Sequence, residues 1–187
     1  MTEKTILPPL EDRDWPAVIA DMKDGFAGTL NVYRTMAHHP DLLSAWAPLR
    51  QHVVKESALG QERSEVVILR VAFRLGAAYE WNHHVDRATK LGFSAQRIAA
   101  LRAVPEGEDG LLARAVDMLI DAHRLSPAVE TALAEAFGRS AVFDLMATVG
   151  FYSVLGYIVM TYGTPLDSGI ADVFAGTGES PVSPARH

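Results

Sequence analysis

The 187 residues carry 17 basic and 23 acidic side chains, and the basic ones are scattered, so a net charge of −6 leaves no electrostatic footprint for nucleic acid. Cysteine is absent, which removes disulfides, thiolate metal ligands, thiol nucleophiles and thiol redox chemistry. With 49% hydrophobic residues the chain is long enough for one substantial core and too short for two ordinary domains with a linker.

The N-terminal stretch MTEKTILPPLEDRDWP lacks the apolar run of a signal peptide and carries acids that a transit peptide avoids, so a cytoplasmic location is expected. Its prolines, Pro8, Pro9 and Pro16, mark an extended segment, and residues 1–25 are read as an arm packed on the body or on a neighbouring subunit. From Phe26 to Ala37 the apolar spacing is helical, and His38-His39-Pro40 interrupts it. Pro40 suits the first turn of the next helix, whose expected core face is Leu42, Leu43, Trp46, Leu49 and Val53. Pro48 inside that helix predicts a kink or a split. His38, His39 and His52 read as surface or capping residues.

After Gly60, QERSEVVILRVAFRLG is apolar nearly all round at its centre, which predicts a buried helix. Glu65 stands directly before its apolar run, and Arg70 or Arg74 is placed to compensate a buried carboxylate. Gly76-Ala77-Ala78 joins this helix to a second, amphipathic one from Glu80 to Leu91. On that wheel Trp81, Val85, Ala88 and Leu91 form one side, while His83 falls on the polar side with Arg87 and Lys90. Glu80 and His84 are one turn apart and turned toward the core. A buried ionisable pair persists only when hydrogen-bonded or charge-compensated, and such pairs gather at functional sites.

Gly92 then ends the helix, and Ser94 caps the next. A helix from Leu111 to His123 and another opened by Ser126-Pro127 follow. The longest apolar segment, Ala141 to Tyr162, has Asp144 as its only charge. Its tyrosines, threonines, serine and internal glycines point to a central helix packed through Gly150 and Gly156, in the monomer or between subunits, rather than a membrane span. Residues 26–167 are expected to be a single helical domain, and residues 168–187, rich in Gly, Ser and Pro, an arm or disordered tail. Without strand alternation, a phosphate loop or a nucleophile elbow, the fold class is all-α.

Glu65 to Gly92 resembles the carboxymuconolactone decarboxylase family, which includes the alkylhydroperoxidase D proteins. In the family's peroxidase branch a Glu opens the buried helix and a CxxC pair begins the next. A His follows four residues after the second Cys, with Ala and Gly at further steps of four. Glu65, His84, Ala88 and Gly92 match that spacing, while Ala77 and Glu80 hold the two cysteine positions, so thiol peroxidase chemistry is excluded. The resemblance extends from about Asn31, through AHHPDLL, to TYGTPLD. It implies an all-α fold around a central helical hairpin, assembled as a trimer or hexamer, acting on a small-molecule substrate without cofactor.

The reading that follows is a lyase similar to the decarboxylase branch, or a proton-transfer enzyme, with catalytic residues Glu65, Glu80 and His84. Histidine is the residue type suited to proton transfer near working pH, so His84 would donate the proton, with Glu80 fixing its tautomer or sharing the proton and Glu65 orienting the pair or serving as second acid. Tyr79 and Trp81 are the candidate substrate-binding residues. Two alternatives are a metal site on Glu65, Glu80 and His84, and a noncatalytic oligomeric scaffold or binding protein in which Glu80 and His84 are simply packed. Glu80 and His83 have the spacing of a ferritin-like di-iron pair, but no second pair exists, and no metal is expected.

Overall fold

The computed structural model describes residues 6–174. Helices α1 (Phe26–Thr29), α2 (Asn31–Met36), α3 (Pro40–Gln51), α4 (Gln61–Leu75), α5 (Ala78–Lys90), α6 (Ala95–Ala100), α7 (Gly107–Ala122), α8 (Pro127–Phe137) and α9 (Arg139–Tyr162) follow one another, with no strand among the described residues. Helix α4 is the axis: every residue from Ser64 to Ala72 is buried, and α5, α7 and α9 pack around it.

The turn between α4 and α5 is the sharpest in the core. Gly76 sits in the left-handed region at φ 72°, closing the end of α4 through its N–H to Ala72 and Phe73 carbonyls. A side chain there would be strained, so glycine permits two buried helices to reverse direction within three residues. Helix α9 crosses against this turn at Gly156, where an added Cβ would lie 3.3 Å from Leu75 Cδ1 and 3.5 Å from Ala77 Cβ. Ser94 and Ser126 cap α6 and α8 by accepting from Arg97 and Val129 N–H, as their positions predict.

Arg70 and Arg74 do not serve Glu65. Arg70, 5% exposed, donates to both carboxylate oxygens of Asp117 at 2.8 and 2.7 Å and to the carbonyls of Leu101, Arg102 and Ala103, so it ties α4 to α7 and to the loop after α6. Arg74 pairs with Asp117 and Asp121. These carboxylates lie on the neighbouring helix, where sequence spacing gave no sign of them.

Three further expectations are corrected. Helix α3 passes through Pro48 unbroken and only then widens into a π-helical turn at His52–Glu56, because the proline and Ser44, whose carbonyl loses its partner, face water. Leu42 and Leu49 are exposed, since α3 lies on the surface and buries only a narrow stripe containing Leu43 and Trp46. The helical spacing from Phe26 to Ala37 is divided at Leu30, which is extended. The break lets the C-terminal segment dock: Asn31 N–H donates to Asp167 Oδ1 at 2.9 Å, and its side chain reaches the Pro165 carbonyl at 3.1 Å.

Both chain ends pack on the body where they are described. Ile19 is buried in the core, with Leu10, Trp15 and Met22 against it. Asn82 holds Asp172 and the Val173 N–H, and Phe174 meets Trp81 edge to face. Residues 175–187, the remainder of the expected tail, lie outside the described residues, as do residues 1–5 of the expected arm. Helix α9 is long and apolar enough to cross a membrane, yet half of its most apolar window is buried inside the fold.

Candidate functional site

Helices α4 and α5 bring Glu65, His84 and Glu80 into one line. His84 Nδ1 is 2.6 Å from Glu65 Oε2, and Nε2 is 3.7 Å from Glu80 Oε2. A carboxylate accepts, so the nitrogen toward Glu65 carries the proton and Nε2 is turned to Glu80. Glu65, rather than Glu80, therefore fixes the tautomer. The ring is also held edge-on against Tyr152, with centroids 4.9 Å apart.

The acids at the two ends differ. Glu80 is 4% exposed and its Oε1 is buried without a partner. Burial pushes its carboxyl above the usual range, outweighing the opposing pull of His84, His83 and Arg87. The neutral acid is the form this position favours. Burial likewise raises the Tyr33 phenol to about 12 and the Tyr152 phenol well above its ordinary value. Both stay neutral donors at working pH.

Two cavities flank the line. The outer one, about 240 Å³, lies between the π-helical turn and α5, and Glu65, Ser64, Gln61, Lys55, Arg87 and Lys90 supply its polar wall. The inner one, about 20 Å³, has room for a water molecule and is walled by Glu80, His84, Tyr33, Tyr79, Arg50 and Arg87, among others. Glu65 faces the outer cavity, Glu80 and His84 face the inner one, and Arg87 and Tyr152 stand between them. Lys90 is paired with Asp86. Arg87 makes no hydrogen bond or ion pair to another described residue.

His83 is buried, contrary to its expected place on the polar face. Its Nδ1 lies 2.7 Å from the Tyr79 carbonyl and its Nε2 lies 2.7 Å from Asp167 Oδ2, so both nitrogens face acceptors. Tyr79 stacks on that ring at 4.0 Å and donates its hydroxyl to Asp167 at 2.5 Å while accepting from Val32 N–H. Burial raises the Asp167 carboxyl, but the donors His83, Tyr79 and Asn31 outweigh it and hold the group below its ordinary value. Tyr79 thus borders only the inner cavity, with its hydroxyl engaged. Trp81, 1% exposed, lines neither cavity: it lies among Phe73, Phe174 and Arg102 on another side of α5. Of the two aromatics expected to bind substrate, one therefore borders a cavity and the other borders neither of these two.

Sequence reasoning missed Arg87, Tyr33, Tyr152 and Asp167. Arg87 had a signal, since Glu80, His84, Arg87 and Leu91 follow one another at steps of four, three and four along one helical face. Asp167 and Tyr152 come from segments far away in the chain. Among the described residues no group of three or more His, Asp or Glu side chains is disposed to hold a metal ion.

A buried helical hairpin wrapped by further helices gives the chain an all-α fold of the alkylhydroperoxidase D-like kind. An uncharacterized peroxidase-related protein from Silicibacter shares the fold with a TM-score of 0.73 and 14% identity, over 90% of this chain and 93% of that one. An uncharacterized peroxidase-related protein from Ralstonia eutropha, described as an alkylhydroperoxidase AhpD core, gives 0.72 and 19% over 87% and 92%. The debrominase Bmp8, in complex with 2,3,4-tribromopyrrole, gives 0.67 and 18% over 90% and 95%. These likenesses are ones of fold. No curated protein matches the sequence. Residues 40–117 match the model of the Carboxymuconolactone decarboxylase family, and the chain, which has no cysteine, lacks the CxxC pair.

Proposed function

We propose that the protein is a small-molecule lyase of the decarboxylating kind, or a closely related proton-transfer enzyme, in which Glu80, His84 and Glu65 act as a proton relay toward the outer cavity. The observation that carries this reading is the order of the three groups: an acid whose carboxyl burial raises, at a small inner cavity, an imidazole between, and a second carboxyl at the wall of a space large enough for a substrate.

Decarboxylation breaks the bond between a carboxylate carbon and its neighbour. The electron pair passes into an adjacent carbonyl as an enolate, CO2 departs, and the enolate carbon must be protonated. In the relay Glu80 gives its proton to His84 Nε2, Nδ1 gives its own to Glu65, and Glu65 delivers it to the enolate carbon. The relay resets in reverse: Glu65 takes a proton from water in the outer cavity and passes it to Nδ1, and Nε2 returns its proton to Glu80. Negative charge moves from the carboxylate to the enolate oxygen during the step, and Arg87, which lines the same cavity and makes no hydrogen bond or ion pair to a described residue, is suited to stabilise it. The basic side chains Lys55, Arg87 and Lys90 likewise favour an anionic substrate. This ordering revises the roles expected from sequence: Glu65 meets substrate, His84 passes the proton, and Glu80 stores it.

The test is CO2 release from carboxymuconolactone and a panel of β-keto and lactone acids, comparing wild type with folded His84→Gln and Glu65→Gln. Wild-type release that falls about 100- to 10,000-fold in each variant is the expected outcome. Release undiminished in either variant overturns the relay.

A further inference from the structure

The described residues leave one face of helix α9 uncovered. Phe143 is 68% exposed and Tyr157 55%, and Met146, Gly150, Val154 and Met160 lie along the same side. From Phe143 through Ala147, Gly150, Val154 and Tyr157 to Thr161 the steps alternate four and three, the period of a seam between two helices. The face carries no charge between Ser140 and Tyr162, because Asp144 is turned inward to His52 and the Ala58 N–H.

Gly150 marks the middle of this face. Glycine inside a helix costs about 0.5–1 kcal/mol relative to alanine. At Gly156 the contact with Leu75 and Ala77 accounts for it, whereas an added Cβ at Gly150 would meet no atom within 4 Å. Nothing among the described residues requires a glycine there, and close approach of another helix would account for it.

The exposed positions are also symmetric about Gly150. Antiparallel copies crossing at that residue place Phe143 opposite Tyr157, Met146 opposite Val154, and Ala147 opposite Ser153, the self-complementarity of an isologous two-fold contact. The five large apolar side chains leave on the order of 400 Å² uncovered, a patch size that marks an interaction site on a monomer. Two such patches, with their polar flanks, approach the roughly 1,000 Å² at which stable interfaces begin. The opposite side of α9 is packed on α4 and α8, so the helix cannot offer lipid an apolar surface all round.

We propose that α9 pairs antiparallel with α9 of a second copy of this chain, across a two-fold axis at Gly150. Light scattering on the full chain eluting from a sizing column tests it. The expected wild-type mass is an even multiple of the protomer, and Gly150→Leu and Phe143→Glu each halve it with helical circular dichroism retained. Because the pairing sets position 143 against 157, adding Tyr157→Lys to Phe143→Glu restores the wild-type mass, which a parallel seam would not allow. A monomeric wild type, an unchanged mass in Gly150→Leu, or no recovery in the folded double variant overturns the proposal. So does flotation of the wild type with phosphatidylcholine vesicles that Tyr157→Lys abolishes.

Discussion

Replacing Glu80 with Gln removes a titrating group whose buried position favours the neutral form. In the unfolded chain a glutamate loses its proton near pH 4.3. In the folded protein burial raises that value, so between the two the native state holds a proton the unfolded state has released. Stability from this group is complete below the unfolded value and declines as pH rises through the folded one. The slope is at most about 1.4 kcal/mol per pH unit. For a domain of this size that corresponds to about 3–5 °C in Tm per unit. Glutamine keeps the shape of the neutral acid and cannot ionise. Thermal melts of wild type and Glu80→Gln, taken from pH 4 to 8, should coincide at the acid end. With rising pH the variant should become progressively the more stable, and the gap should level once the native carboxyl has ionised. Taking the difference cancels the other carboxylates. A constant gap, or one in which the variant loses ground as pH rises, would mean that Glu80 is ionised and compensated by His84, and the relay would lose its proton store.

Asp167→Asn should lower stability by about 2 kcal/mol near neutral pH, read by denaturant unfolding, because the carboxylate accepts from His83, Tyr79 and Asn31. Its carboxyl is held below the ordinary value, so that contribution is present above the unfolded value and disappears as pH falls through the folded one. The difference between wild type and variant should therefore shrink on acidification. Gly156→Leu should cost about 1–3 kcal/mol by forcing α9 off the turn between α4 and α5, whereas Gly156→Ala, which asks Leu75 to give only a few tenths of an ångström, should be close to neutral.

Most of the longer helices were legible because local chemistry decides them: the serine caps of α6 and α8, the glycine junction at 76, and the apolar runs of α4 and α9. The meeting of Glu65 with His84 was legible too, since two helices joined by so short a turn must run side by side. What failed was anything set by a distant partner. His83 reads as a polar-face residue until Asp167, 84 positions later, arrives to bind it. Arg70 reads as a counterion for Glu65 until Asp117 appears on α7. Leu42 and Leu49 were assigned to the core by wheel position alone, but a surface helix buries less than half its circumference.

The contact of Asp167 with Asn31, Tyr79 and His83 also bears on how the molecule is made. Asn31 and Asp167 are 136 positions apart, so a segment synthesised early waits for one synthesised nearly last. During translation the α4–α5 hairpin emerges with its titratable groups facing water, and neither α9 nor the closing segment yet exists to dry them. The raised carboxyl of Glu80 comes from burial, so it is acquired only as α9 packs on the hairpin, and a nascent chain still short of α9 would carry the same residue with its carboxyl less raised.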